Sequence, residues 1–158
     1  MLMDFPTPPS DRRFEDYAVG GTYLLGSFTV SEDEIIRFAR QYDPQTMHVD
    51  RAIAGQGPFG GVIASGWQTV ALAMRLLVDN FLPHDGLAAP GIDELRWPRP
   101  VRPGDTLRVQ ATVQQARRSL SKPDRGLIHG LMEVINQDGD VVMSMKPMNF
   151  VRVRTPEV

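Results

Sequence analysis

Residues 65–81 read SGWQTVALAMRLLVDNF, and this stretch decides the architecture. Trp67, Val70, Ala71, Met74, Leu77, Val78 and Phe81 recur at the i, i+3, i+4, i+7 spacing of one helical face. Leu72, Ala73 and Leu76 make much of the opposite side apolar too. A helix apolar nearly all round must be covered by other structure, so the segment predicts a central, buried helix. Ser65 is placed to cap its start, and Gly66 leaves room for close backbone approach at the first turn.

The flanking chain reads largely as strands. From Thr106 to Ala116 the pattern alternates, with Leu107, Val109, Ala111 and Val113 on one face and Arg108, Gln110, Thr112 and Gln114 on the other. Residues 22–30 (TYLLGSFTV) are rich in β-branched and aromatic side chains, and 92–97 form a short strand stopped by Pro98. Residues 126–136 and 141–153 flank Asp138-Gly139, a strong hairpin signal, while Pro147 asks for an edge position or a bulge. Ser31 and Glu34 form a capping box for a short helix whose apolar face is Ile35, Ile36, Phe38 and Ala39. Pro44 ends that helix near Tyr42, which puts Asp43 and His48 in a loop. Gly55, Gly57, Pro58, Gly60 and Gly61 predict irregular chain up to Val62. Residues 1–17 are Pro-rich and polar and read as an irregular arm, leaving 18–158 as one domain. One long apolar helix with several long antiparallel strands is an α+β protein, its sheet curled around the helix.

Composition narrows the function. The chain has 158 residues, enough for one domain with a real core. Its net charge of −2, from 17 basic and 19 acidic side chains, offers no footprint for nucleic acid, and no basic run suggests a membrane surface. The absence of cysteine excludes disulfides, thiolate nucleophiles and Cys-ligated zinc. No apolar run is long enough to cross a bilayer, and the N-terminal residues lack a signal-peptide pattern, so a cytoplasmic location is expected.

Residues 41–50, QYDPQTMHVD, carry the most chemistry for their length. A carboxylate and an imidazole a few ångströms apart can hold a water molecule and move its protons, each favouring the charged form of the other. The first turn of the central helix adds unpaired N–H groups suited to an oxygen that becomes negative during reaction. Such parts fit the addition of water to an activated carbonyl compound. Other readings compete: Asp43 before Pro44 suits a turn, and His48 beside Asp50 suits a loop pair or two metal ligands, although no third ligand stands near. His84 reads as solvated and His129 as a sheet residue. Ser65 lacks the GxSxG context of a nucleophile, and capping accounts for it.

FARQYDPQTMHVD, GVIASGWQTVALAMRL and DELRWPRPVRPGDTLRV together resemble the MaoC-like dehydratases, which include the (R)-specific enoyl-CoA hydratases. The likeness runs from about Phe14 to Arg152. It implies the hot-dog fold, a sheet wrapped around a long helix. The family signature is Asp, any residue, Asn, Pro, an apolar residue and His, which places Asp43, Met47 and His48 on it. Gln45 stands where the signature has Asn and Thr46 where it has Pro, and the helix opens Ser65-Gly66-Trp67 where relatives commonly have His-Gly-Met.

The resemblance implies a catalytic Asp43–His48 pair that activates water, Gly66 N–H as support for the thioester oxygen, and substrate contacts from Ser65, Trp67, Gly61 and Met47. It implies an acyl-CoA thioester as substrate, with coenzyme A part of that substrate, no metal or other cofactor, and a homodimer or dimer of dimers. Two alternatives stay open. A hot-dog thioesterase would attack the carbonyl instead of the double bond. Its acid usually lies on or near the central helix, where this chain has none before Asp79. A non-catalytic acyl-CoA-binding subunit is the other, and the retained Asp43 and His48 argue against it.

Overall fold

The structure is a computed structural model and describes residues 1–156. Its strands and α-helices follow in chain order: β1 (Leu2–Met3), β2 (Thr22–Thr29), α1 (Glu32–Tyr42), α2 (Thr46–Val49), α3 (Arg51–Gln56), α4 (Gly66–Asn80), β3 (Gly91–Arg96), β4 (Thr106–Arg118), β5 (Arg125–Ile135) and β6 (Val141–Arg152). The six strands form one mixed sheet in the order β1-β2-β4-β5-β6-β3. Only the β1–β2 pairing is parallel among the described residues. Helix α4 packs on this sheet, which is the α+β arrangement expected.

The alternation in β4 is realised as read: Leu107, Val109, Ala111 and Val113 are buried. They share one apolar cluster with Ala73, Leu77 and Phe81 from α4 and its C-terminal end, Met132 and Val134 from β5, and Met143 and Met145 from β6. The capping box of α1 also forms, with Ser31 Oγ accepting from Glu34 N and the Glu34 carboxylate accepting from Ser31 N. At the β5–β6 turn, Asn136 Oδ1 accepts from the N–H groups of Asp138 and Asp140, and Gly139 takes φ 85°.

Four expectations need correction. Helix α4 is not buried all round. It buries Gln68, Thr69, Ala73 and Leu77, whereas Trp67, Ala71, Met74 and Val78 are exposed. One sheet covers one side of a helix, and an apolar pattern on every side cannot reveal which side that is. The segment after α1 is not a plain loop either, because residues 46–49 and 51–56 make two short helices, the second including Gly55. Asp50 caps that second helix, its carboxylate accepting from Ile53 N at 2.9 Å. Pro147 lies in an inner strand between β5 and β3, and the β5–β6 ladder omits the Gly130–Pro147 and Leu131–Lys146 pairs without changing register. Finally, residues 1–17 are mostly irregular but contribute β1 and a 3-10 turn at Phe14–Asp16.

The arm clamps the far end of α4. Phe5 stacks on Tyr23 with ring centroids 3.9 Å apart, and the Arg12 guanidinium lies 3.6 Å from the Phe5 centroid. Arg12 Nη1 donates to the carbonyls of Asn80 and Phe81, and Tyr17 Oη–H donates to Phe81 O at 2.7 Å. A positive group and donors at a helix C-terminus satisfy its unpaired carbonyls and favour its negative dipole end. This anchors one end of α4, while its other end opens onto the site.

Candidate active site

Asp43 is the C-cap of α1, placed there because Pro44 prevents the helix from continuing. His48 sits on α2, one short turn further on, and is buried with 5% of its surface exposed. The stretch before α4 crosses behind it: Ile63 N donates to Met47 O at 3.2 Å, and Ala64 N donates to Val101 O at 2.9 Å. The first of these bonds ties α2 to the stretch that leads into α4, and Ser65 Oγ, donating to Asp43, ties the end of α1 to the same point.

The dyad geometry is specific. His48 Nε2 lies 3.3 Å from Asp43 Oδ2. On the other side of the ring, Nδ1 lies 2.7 Å from the carbonyl oxygen of Ile63. A carbonyl can only accept, so Nδ1 carries a proton, and the ring in its neutral form presents the Nε2 lone pair toward Asp43. Asp43 is held as firmly: Ser65 Oγ–H donates to Oδ2 at 2.7 Å, and Gln45 Nε2–H donates to Oδ1 at 2.7 Å. Those two hydrogen bonds, from Gln45 and then Ser65, hold the Asp43 carboxyl below its ordinary value against an opposing effect of burial, and a protonated His48 beside it acts in the same direction.

A cleft of about 390 Å³ opens over the pair. Its walls include Met47, Gly66, Trp67, Thr69, Trp97 and Arg99. The Trp67 and Trp97 rings meet edge to face at 5.4 Å, and Trp97 Nε1–H donates to Gly66 O at 3.1 Å. The close approach expected at Gly66 is therefore made by an indole. No described residue accepts from Gly66 N–H, so that donor at the first turn of α4 is available to a ligand. An ionised carboxylate oxygen and an imidazole lone pair side by side are two acceptors, which suits one water donating both its hydrogens.

Of the residues singled out from sequence, Asp43, His48, Met47, Gly66 and Trp67 line this cleft together. Ser65 does not line it; the side chain is fully buried behind Asp43. Gly61 lies on a neighbouring hollow instead. Sequence reading missed Trp97, Arg99 and Phe59 as lining residues and the Ile63 carbonyl as the group that orients His48. Gln45 had drawn notice only as a departure from a signature, and it turns out to be a donor to Asp43.

These features agree with what the chain is similar to. A MaoC-like domain matches residues 16–126, and the chain belongs to that family. It is 34% identical to the uncharacterized protein YdeM of Bacillus subtilis over 128 residues, 79% of this chain and 88% of that protein. It is also 34% identical over 88 residues to the 3-hydroxyacyl-thioester dehydratase Z of Mycobacterium tuberculosis, covering 54% of this chain and 58% of that protein. Among solved structures, the MaoC-like dehydratase of Rhodospirillum rubrum superposes with a TM-score of 0.85 at 40% identity, over 91% of this chain and 99% of that one. The fold is thus the hot-dog fold of the MaoC-like dehydratases.

The Asp43 environment makes a prediction about pH. Removing a donor to a carboxylate raises its pKa, so Ser65→Ala should move the acidic limb of the kcat/KM profile to higher pH. The stability contributed by ionised Asp43 is complete above the unfolded carboxyl value and lost as pH falls through the lowered folded value. In Ser65→Ala that contribution should be smaller and its loss complete at a higher pH. An unmoved acidic limb with only a lower plateau would show that Ser65 acts as a helix cap and not on Asp43.

Proposed function

We propose that the protein is a hydratase/dehydratase of acyl thioesters, reversibly adding water to a trans-2-enoyl group to give an (R)-3-hydroxyacyl thioester. The observation that carries this reading is the pairing of Asp43 Oδ2 and His48 Nε2, 3.3 Å apart, at a cleft that includes the first turn of α4. Membership of the MaoC-like family and similarity to a 3-hydroxyacyl-thioester dehydratase support the reaction class. The (R) configuration follows from the resemblance to the (R)-specific hydratases.

In this mechanism a water donates to Oδ2 and Nε2, leaving an oxygen lone pair for the β-carbon. As the O–C bond forms, the dyad takes one proton from the water and the electron pair of the double bond moves toward the thioester. Gly66 N–H receives the negative charge that develops on the thioester oxygen. A proton returned from the dyad to the α-carbon completes the addition, and dehydration runs the same steps backward. Water is the only co-reactant, and coenzyme A enters as part of the substrate. A panel of trans-2-enoyl and 3-hydroxyacyl-CoA thioesters of differing length and branching tests the reading. Loss of the enoyl group with gain of one water is expected, and no turnover on any member of the panel would reject it.

Assembly is part of the proposal. The exposed stripe of Trp67, Ala71, Met74 and Val78 on α4 runs beside the cleft, and three of these are large apolar groups at 57%, 41% and 44% exposure. An apolar helix face of this kind is suited to burial against a second copy. Light scattering at assay concentration should give a homodimer or dimer of dimers, and a fully active monomer would contradict it.

A further inference from the structure

We propose that Thr69 is a further catalytic residue, whose hydroxyl donates to the oxygen of the reacting water and fixes which of its lone pairs attacks. The inference rests on the reading that the Asp43–His48 pair holds that water. Thr69 belongs to the start of α4, is 2% exposed, and borders the cleft together with Asp43 and His48. Its N–H donates to Ser65 O at 3.3 Å, which sets it one helical turn after Ser65, the residue whose Oγ–H donates to Asp43 Oδ2. Side chains four apart share a helix face, and Cα–Cβ bonds tilt toward the helix N-terminus, so Thr69 reaches back toward the carboxylate.

The hydroxyl has no internal use. A helical threonine ordinarily bonds back to the carbonyl three or four residues earlier. Here Ser65 O already accepts from Gln68 N at 3.0 Å as well as from Thr69 N, and Gly66 O accepts from Trp97 Nε1–H at 3.1 Å. No described residue bonds the Thr69 side chain. Its Oγ1 is not sealed from solvent either, and the space that Thr69 borders is the cleft. A free polar atom on an otherwise buried residue calls for a partner from outside the chain. The chemistry of the water decides the role. With its hydrogens on Asp43 Oδ2 and His48 Nε2, the water oxygen keeps two lone pairs, one on each side of its plane. One accepts from Thr69 Oγ–H, so only the other is free for the β-carbon. Thr69 keeps its proton throughout, and no covalent bond of its own forms or breaks. In dehydration the same donor meets the departing oxygen as negative charge gathers on it, where a hydrogen bond is strongest.

The test compares Thr69→Val, which keeps the side-chain shape and removes the hydroxyl, with Thr69→Ser, which keeps the hydroxyl and removes a methyl. Both are assayed for hydration of crotonyl-CoA. Thr69→Val should lower kcat about tenfold, the worth of one hydrogen bond at a reacting atom, with KM unchanged. Thr69→Ser should stay close to wild type. A packing role gives the opposite order, because Val fills the volume and Ser leaves a methyl-sized gap. Thermal melts should show no loss of stability in Thr69→Val, since no protein group loses a partner. The acidic limb of the kcat/KM profile should stay at its wild-type position, in contrast to Ser65→Ala, because the hydroxyl serves the water and not Asp43. If Thr69→Val does not fold, Thr69→Ala takes its place; it differs from Thr69→Ser by the hydroxyl alone and should show the loss. Wild-type kcat in the hydroxyl-free variant, an equal loss in Thr69→Ser, or a raised KM with unchanged kcat overturns the proposal and leaves the hydratase reading standing. No turnover of any enoyl thioester by the wild-type protein rejects that reading itself, and this role with it.

Discussion

Asp43→Asn and His48→Ala should each lower turnover of an enoyl thioester about 10²–10⁴-fold, the usual worth of a positioned acid–base group. The reason is geometric. Asp43→Asn replaces one acceptor oxygen with an NH2, so either Ser65 Oγ and the water, both on Oδ2, or Gln45 Nε2, on Oδ1, lose their acceptor. His48→Ala removes the Nε2 lone pair and also strips the Ile63 carbonyl of its donor. The double variant should be scarcely worse than either single one, because groups that act as a unit are not additive. His48 is buried, so His48→Ala should also cost about 1–3 kcal/mol of stability for the unpaired carbonyl. Steady-state kinetics with thermal melts on the same samples separates the two effects. Near wild-type turnover in either single variant would remove that residue from the mechanism.

Gly66→Ala should be the next most damaging change, with kcat/KM lowered about 10²-fold, as for a misplacement of roughly 1 Å in a reacting geometry. A Cβ on Gly66 would fall 2.6 Å from Trp97 Nε1 and 2.8 Å from Trp97 Cδ2, and closer still to Cε2. A rigid indole cannot yield at three atoms at once. Either Trp97 leaves, breaking its bond to Gly66 O, or the start of α4 retreats and carries the Gly66 N–H with it. The companion variant Gly66→Ala/Trp97→Ala relieves the clash and should recover part of the loss. Coupling of this kind is expected for residues in direct contact. Full activity in Gly66→Ala would mean that the donor at the first turn is not used.

Much of this protein was legible in its sequence, and the exceptions share a cause. The strand period of Leu107 to Val113 and the Ser31–Glu34 capping box are local signals, and both are realised. The buried face of α4 is not local. With apolar groups on every side, only the sheet decides that Thr69, Ala73 and Leu77 turn inward while Trp67 and Met74 do not. Helices α2 and α3 hide behind Pro44 and the glycines because each is too short for a periodic pattern to emerge. At the candidate site, the spacing of Asp43 and His48 pointed to a pair, and the structure brings them together. The carbonyl of Ile63 left no trace in the sequence, since every residue has one. Trp97 was equally silent, because its contact with Gly66 spans 31 positions and depends on how β3 leaves the sheet.

The central claim is that this dyad adds water across a double bond and leaves the thioester intact. Incubating the protein with crotonyl-CoA in ¹⁸O-labelled water and following both halves of the molecule by mass spectrometry tests it most directly. The account predicts a 3-hydroxybutyryl-CoA carrying one ¹⁸O in the acyl group, of (R) configuration, with no free coenzyme A released. Free thiol together with ¹⁸O in a liberated carboxylate would contradict it and make the protein a thioesterase.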